Sequence, residues 1–139
     1  MTPPGEIVSA SRAEARLYLE KAKQFLEEAQ TASASERYDA AMLNSIHAAI
    51  SAADSVTSAL ANRRSADPDH QRAADLLQQV AGASEEIGTR VRQLRALLTK
   101  KTAVEYESRK TTPREGRDAV QRARRLVEWA EEVVSRTRI

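Results

Sequence analysis

Acid–base chemistry in this chain has very few side chains to run through. There are two histidines, His47 and His70, and no cysteine, which removes thiol nucleophiles, disulfides and thiolate metal sites together. Two imidazoles this far apart in sequence fall short of the three or four converging ligands a zinc site needs, so neither a metal nor another cofactor is expected. The glycines at positions 5, 82, 88 and 116 form no phosphate-cradling loop. His47 falls in the middle of an alanine-rich helical stretch, where a packed or half-exposed imidazole needs no special task. His70 falls near the start of another helix, where the same reading holds.

Positive charge is the larger signal. The net charge is only +2, yet residues 90–125 hold 12 Lys or Arg against 4 Asp or Glu, a local excess of +8. Such a stretch attracts a polyanion. The residues expected to touch it are Lys100, Lys101, Tyr106, Arg109, Lys110, Arg114, Arg117 and Arg124. Their charges, together with free N–H groups at a helix start, could hold a phosphate backbone. Tyr106 is the one ring nearby for base stacking, too little for reading a base sequence. The competing expectation is structural: Tyr106 packs on the end of the bundle, and the arginines pair with Glu105, Glu107, Glu115 and Asp118.

The elements that carry these residues are helices. Ser11-Arg12-Ala13-Glu14 is a capping box, followed by Ala15, Tyr18, Leu19, Ala22, Phe25, Leu26 and Ala29 at helical spacing. After a break over residues 31–35, a second helix from near Glu36 is apolar over more than half its circumference, as the central helix of a bundle would be. Asp67-Pro68 supplies an N-cap and a first-position proline for a third helix. Gly82-Ala83-Ser84 marks a break, after which Ile87, Val91, Leu94 and Leu98 carry the pattern toward Tyr106. Thr112-Pro113-Arg114-Glu115 is a second capping box that opens the last helix. There Val120, Val127 and Val134 form a second stripe, an expected dimerisation face. The fold class is all-α, an antiparallel up-and-down bundle of four to five helices. Residues 1–10, with Pro3-Pro4-Gly5, are expected to be a flexible leader, and 11–139 a single helical domain. No apolar run reaches the length needed to span a bilayer, so the expected setting is the cytoplasm, with no membrane contact.

The run from Glu36-Arg37-Tyr38-Asp39 through His47-Ala48-Ala49-Ile50 to Asp54, and the segment Lys101-Thr102-Ala103-Val104-Glu105-Tyr106-Glu107 before the last helix, resemble the HEPN superfamily (higher eukaryotes and prokaryotes nucleotide-binding domains). The resemblance spans roughly residues 11–136. It implies a helical bundle, often homodimeric, that works with RNA, a nucleotide or a nucleotidyltransferase-like partner in toxin–antitoxin and defence systems. Many relatives are metal-independent ribonucleases that use an Arg, four to six residues, then a His in the segment leading into the last helix. Here no histidine follows residue 70. The spacing recurs only from Arg64, or Arg63, to His70, in the loop before the third helix.

The leading expectation is therefore a non-catalytic HEPN-like protein that binds RNA, a nucleotide or a partner protein through residues 100–125. Two alternatives stand beside it. One is a ribonuclease toxin using Arg64 and His70 across a homodimer. The other is a purely structural interaction module.

Overall fold

The computed structural model describes residues 5–137. In chain order the elements are β1 (Ile7–Ser9), α1 (Arg12–Ala34), α2 (Tyr38–Ala61), β2 (Arg63–Ser65), α3 (Gln71–Ala81), α4 (Glu85–Leu98), α5 (Lys101–Tyr106) and α6 (Pro113–Arg136). Both capping boxes form. Ser11 accepts from the Glu14 N–H while Glu14 reaches back, and Thr112 and Glu115 do the same at α6, with Pro113 at its first position. Ser84 caps α4 through the Ile87 N–H.

The four long helices run up, down, up and down. Arg12 Nε donates to the Ala59 carbonyl at 2.9 Å, which ties the start of α1 to the end of α2. Met42, Leu97 and Ala119 line one cavity, so the start of α2, the end of α4 and the start of α6 share one end of the bundle. Leu60, Ile87 and Val133 meet at the other end. The short α3 and α5 flank α4 in the chain.

At the centre, α2 buries Ala41, Met42, Ile46, Ala48, Ala49, Ala52, Val56 and Ala59. Its small side chains let α1 and α6 approach closely, and Leu77, Leu94, Leu126 and Trp129 fill the remaining volume. Close packing of this kind stabilises by roughly 25 cal/mol for each Å² of apolar surface removed from water.

Four expectations change. Within the supposed leader, residues 7–9 form a strand antiparallel to β2, with Val8 opposite Arg64. Ala10 is 1% exposed and its N–H donates to Asn62. Apolar Ile7 and Val8 find a partner edge directly after α2, which a reading of helical periodicity could not supply; residues 1–4 of that leader lie outside the described residues. Helix α3 starts at Gln71, not after Asp67. Asp67 and Asp69 instead accept from the Asp69 and Gln71 N–H groups, so the polar turn takes up the donors before the helix begins. The α4 pattern stops at Leu98, and a separate six-residue helix, α5, carries Lys101 to Tyr106. Of the valine stripe, Val127 and Val134 are buried in the chain's own core while Val120 is half-buried. That leaves them unavailable as a dimer face.

Candidate nucleic-acid interface

The basic segment is built around one carboxylate. Glu115 accepts from its own cap at the Thr112 N–H (3.0 Å), from Arg109 through both oxygens (3.1 and 3.0 Å) and from Lys100 (3.3 Å). These donors, Arg109 first, hold its carboxyl well below the usual carboxylate range. Asp39, at the start of α2, accepts from the Thr111 N–H at 2.8 Å, and this bond lowers its pKa as well. The loop between α5 and α6 is thereby pinned to both helices it passes.

The expected contact residues therefore divide. Lys100 and Arg109 are spent on Glu115, and Arg124 pairs with Glu128 at 3.6 Å. Arg117 lies over the Tyr38 ring, 5.9 Å from its centroid, and donates to its hydroxyl. Lys110 and Arg114 are exposed and make no ion pair among the described residues. Tyr106 is 78% exposed rather than packed on the bundle end. Lys101 sits 2.6 Å from Glu105, one helical turn along α5.

That last pair acts electrostatically on both histidines. Helix α5 packs on α2, whose outward face there carries His47. Lys101 and Glu105 are the charges acting most strongly on His47 and also on His70, and each imidazole is within electrostatic reach of that pair. His70 lies in turn within reach of His47. Partial burial first, and Lys101 second, push both imidazole pKa values below the ordinary 6.5. The Phe25 ring of α1 covers one side of His47, with ring centroids 5.3 Å apart. His70 holds the N-cap position of α3 without bonding its side chain there. The start of α3 is held in turn: Gln71 donates to the Arg95 carbonyl, and Arg95 returns bonds to Gln71 and to Asp75 at 2.7 Å. An imidazole does accompany the basic segment. It comes from residues far upstream rather than from the segment's own sequence.

Arg64 has other company. Its guanidinium lies over Tyr18, 5.8 Å from the ring centroid, and bonds the Ser65 carbonyl. It is the nearest opposing charge to Asp54, with Lys21 second. Burial pushes the Asp54 carboxyl up to about 7 in spite of both cations. The cation acting most strongly on His70 within the chain is Lys101. His47 went unassigned in the sequence. The signals that pointed to it were its seven-residue spacing from Asp54, which places both on one stripe of α2, and the Lys101–Glu105 pair at helical spacing.

The chain matches the family model of the HEPN domain over residues 15–133, and it belongs to that family. No curated protein matches it. Among the described residues, no helix is long and apolar enough to cross a membrane, and no group of three or more His, Cys, Asp or Glu is placed to hold a metal ion.

Proposed function

We propose that the protein binds single-stranded RNA across the α5 face, with a phosphodiester beside Lys101, and that His70 gives it ribonuclease activity. The observation that carries this reading is that Lys101 acts electrostatically on both half-buried imidazoles. A cation beside a neutral imidazole binds a phosphate and accepts a proton from a neighbouring hydroxyl, which is the general-base step of RNA cleavage. Tyr106, Lys110 and Arg114, which follow Lys101 in the chain, are exposed. They offer one stacking surface and two point charges to the strand on either side of the cut.

The test measures binding and cleavage of a labelled single-stranded RNA in the presence of a chelator. Binding should weaken steeply with added salt, and Lys101→Glu should weaken it further. His70→Ala should keep binding and lose cleavage by about 100-fold or more, the usual share of a positioned acid–base group. Salt-insensitive or absent binding removes the RNA reading. Binding without any cleavage by the unaltered protein leaves a non-catalytic RNA-binding protein.

A further inference from the structure

We infer that the cavity between the start of α2, the end of α4 and the start of α6 binds a free aliphatic α-amino acid. Asp118 holds the ammonium group, Arg122 the carboxylate, and Met42, Leu97 and Ala119 the side chain. The inference uses neither histidine and does not depend on RNA binding.

The cavity has a volume of about 320 Å³. Ligand cavities run from about 300 to 1,000 Å³, so this one takes a single small molecule. Its floor is apolar. Met42, Leu97 and Ala119 come from three different helices, and each is at most 4% exposed. All three belong to the packed core, so the floor is preformed.

The rim is charged, with Lys100, Glu115, Asp118 and Arg122 lining the same space. Lys100 and Glu115 satisfy each other across 3.3 Å. Asp118 and Arg122 are exposed and make no ion pair or hydrogen bond among the described residues. They stand four apart on α6, on one face and near enough to pair with each other, yet they do not. Two unpaired charges of opposite sign therefore border one apolar floor.

That combination fixes the class of ligand. Two cations and two carboxylates line the cavity, which leaves it without net charge. A simple anion meets Asp118, and a simple cation meets Arg122. An uncharged apolar molecule takes water from both and replaces none of its bonds. A zwitterion answers both at once, because charge-assisted hydrogen bonds to ammonium and carboxylate are stronger than neutral ones. An aliphatic side chain then removes apolar surface from water against Met42 and Leu97. Met42 is unbranched and polarizable, so it adapts to straight and branched chains alike. Binding involves no covalent step.

The experiment is calorimetric titration of the full chain with L-leucine, with no RNA present. Leucine amide lacks the carboxylate, isocaproate lacks the ammonium group, and glycine lacks the side chain. L-Leucine should bind one to one, and each of the other three should bind about tenfold more weakly or worse. Asp118→Asn and Arg122→Gln should each weaken L-leucine by a similar factor. Each variant should be blind to the probe that already lacks its partner: Asp118→Asn should not weaken isocaproate, and Arg122→Gln should not weaken leucine amide. L-Leucine should also raise the unfolding temperature of the unaltered protein and not that of Arg122→Gln. Both side chains are exposed, so neither variant threatens the fold. Three results overturn the proposal: no L-leucine binding by either readout at millimolar concentration, isocaproate or leucine amide held as tightly as L-leucine, or both variants binding L-leucine like the unaltered protein. Because RNA is absent throughout, any of these leaves the RNA reading standing.

Discussion

Asp54 and the two histidines have the same physical problem, a titratable group partly withdrawn from water, and solve it differently. The imidazoles answer by staying neutral more readily. Asp54 answers by keeping its proton to about pH 7, against 3.8 in an unperturbed carboxyl. A raised carboxyl pKa means that the folded chain holds this proton more tightly than the unfolded one. The contribution to stability is full below pH 3.8 and is lost as the pH rises through the window to about 7. Asp54→Asn should therefore leave stability near pH 4 almost unchanged and raise it at pH 8 by ~1–4 kcal/mol. Thermal unfolding at the two pH values checks this, and an equal effect at both would show that Asp54 is not perturbed. At this scale the sequence was least legible. The basic residues were visible as a cluster, but which of them stay free depended on Glu115, whose three donors come from positions 100, 109 and 112. The reach of Lys101 to both His47 and His70 is a product of tertiary packing, and no local spacing encodes it.

At the scale of the element, the ends of the helices decide what the junction presents. The capping box at Thr112 starts α6 just where Glu115 can collect Lys100 and Arg109, so one residue ends a loop, begins a helix and neutralises two cations. Gly116, the next residue, is set by a neighbour rather than by backbone freedom. A Cβ there would lie 2.6 Å from Tyr38 Cδ1 and 3.0 Å from Tyr38 Cβ. Alanine in a helix gains about 1 kcal/mol over glycine, but the clash involves the root of the Tyr38 side chain and not a flexible tip, so overpacking wins. Gly116→Ala should destabilise by ~1–2 kcal/mol net, and adding Tyr38→Ala should return part of the loss, read by urea unfolding. A Gly116→Ala chain as stable as the unaltered one would mean that α2 and α6 can separate freely at this end. Helices and their starts were legible because Ser11, Ser84 and Thr112 announce themselves locally. The β1–β2 pair and the α4–α5 break were not, since each depends on a partner brought from elsewhere in the chain.

Over the whole molecule, the bundle serves as a frame that brings separate stretches to one face. The centre of α2 is too rich in alanine to carry function inward, so its chemistry is placed outward, on the stripe of His47 and Asp54. The positive excess of residues 90–125 is partly consumed in holding the α5–α6 junction. Lys110, Arg114, Arg122 and Arg125 remain exposed, as does Tyr106. The class of fold and the local positive excess could be read from the chain. The placement of His70 could not, because it depends on α3 being turned back onto the end of α4 by Gln71, Asp75 and Arg95.

The central claim is that Lys101 acts on both imidazoles. Its most direct test is the titration of both histidine rings by NMR, in the unaltered protein and in Lys101→Ala. Both rings should titrate below 6.5 at the outset. Removing Lys101 deletes a positive neighbour and leaves Glu105 unopposed, so both values should rise together. Two rings that titrate as before in Lys101→Ala, or only one that responds, would contradict it.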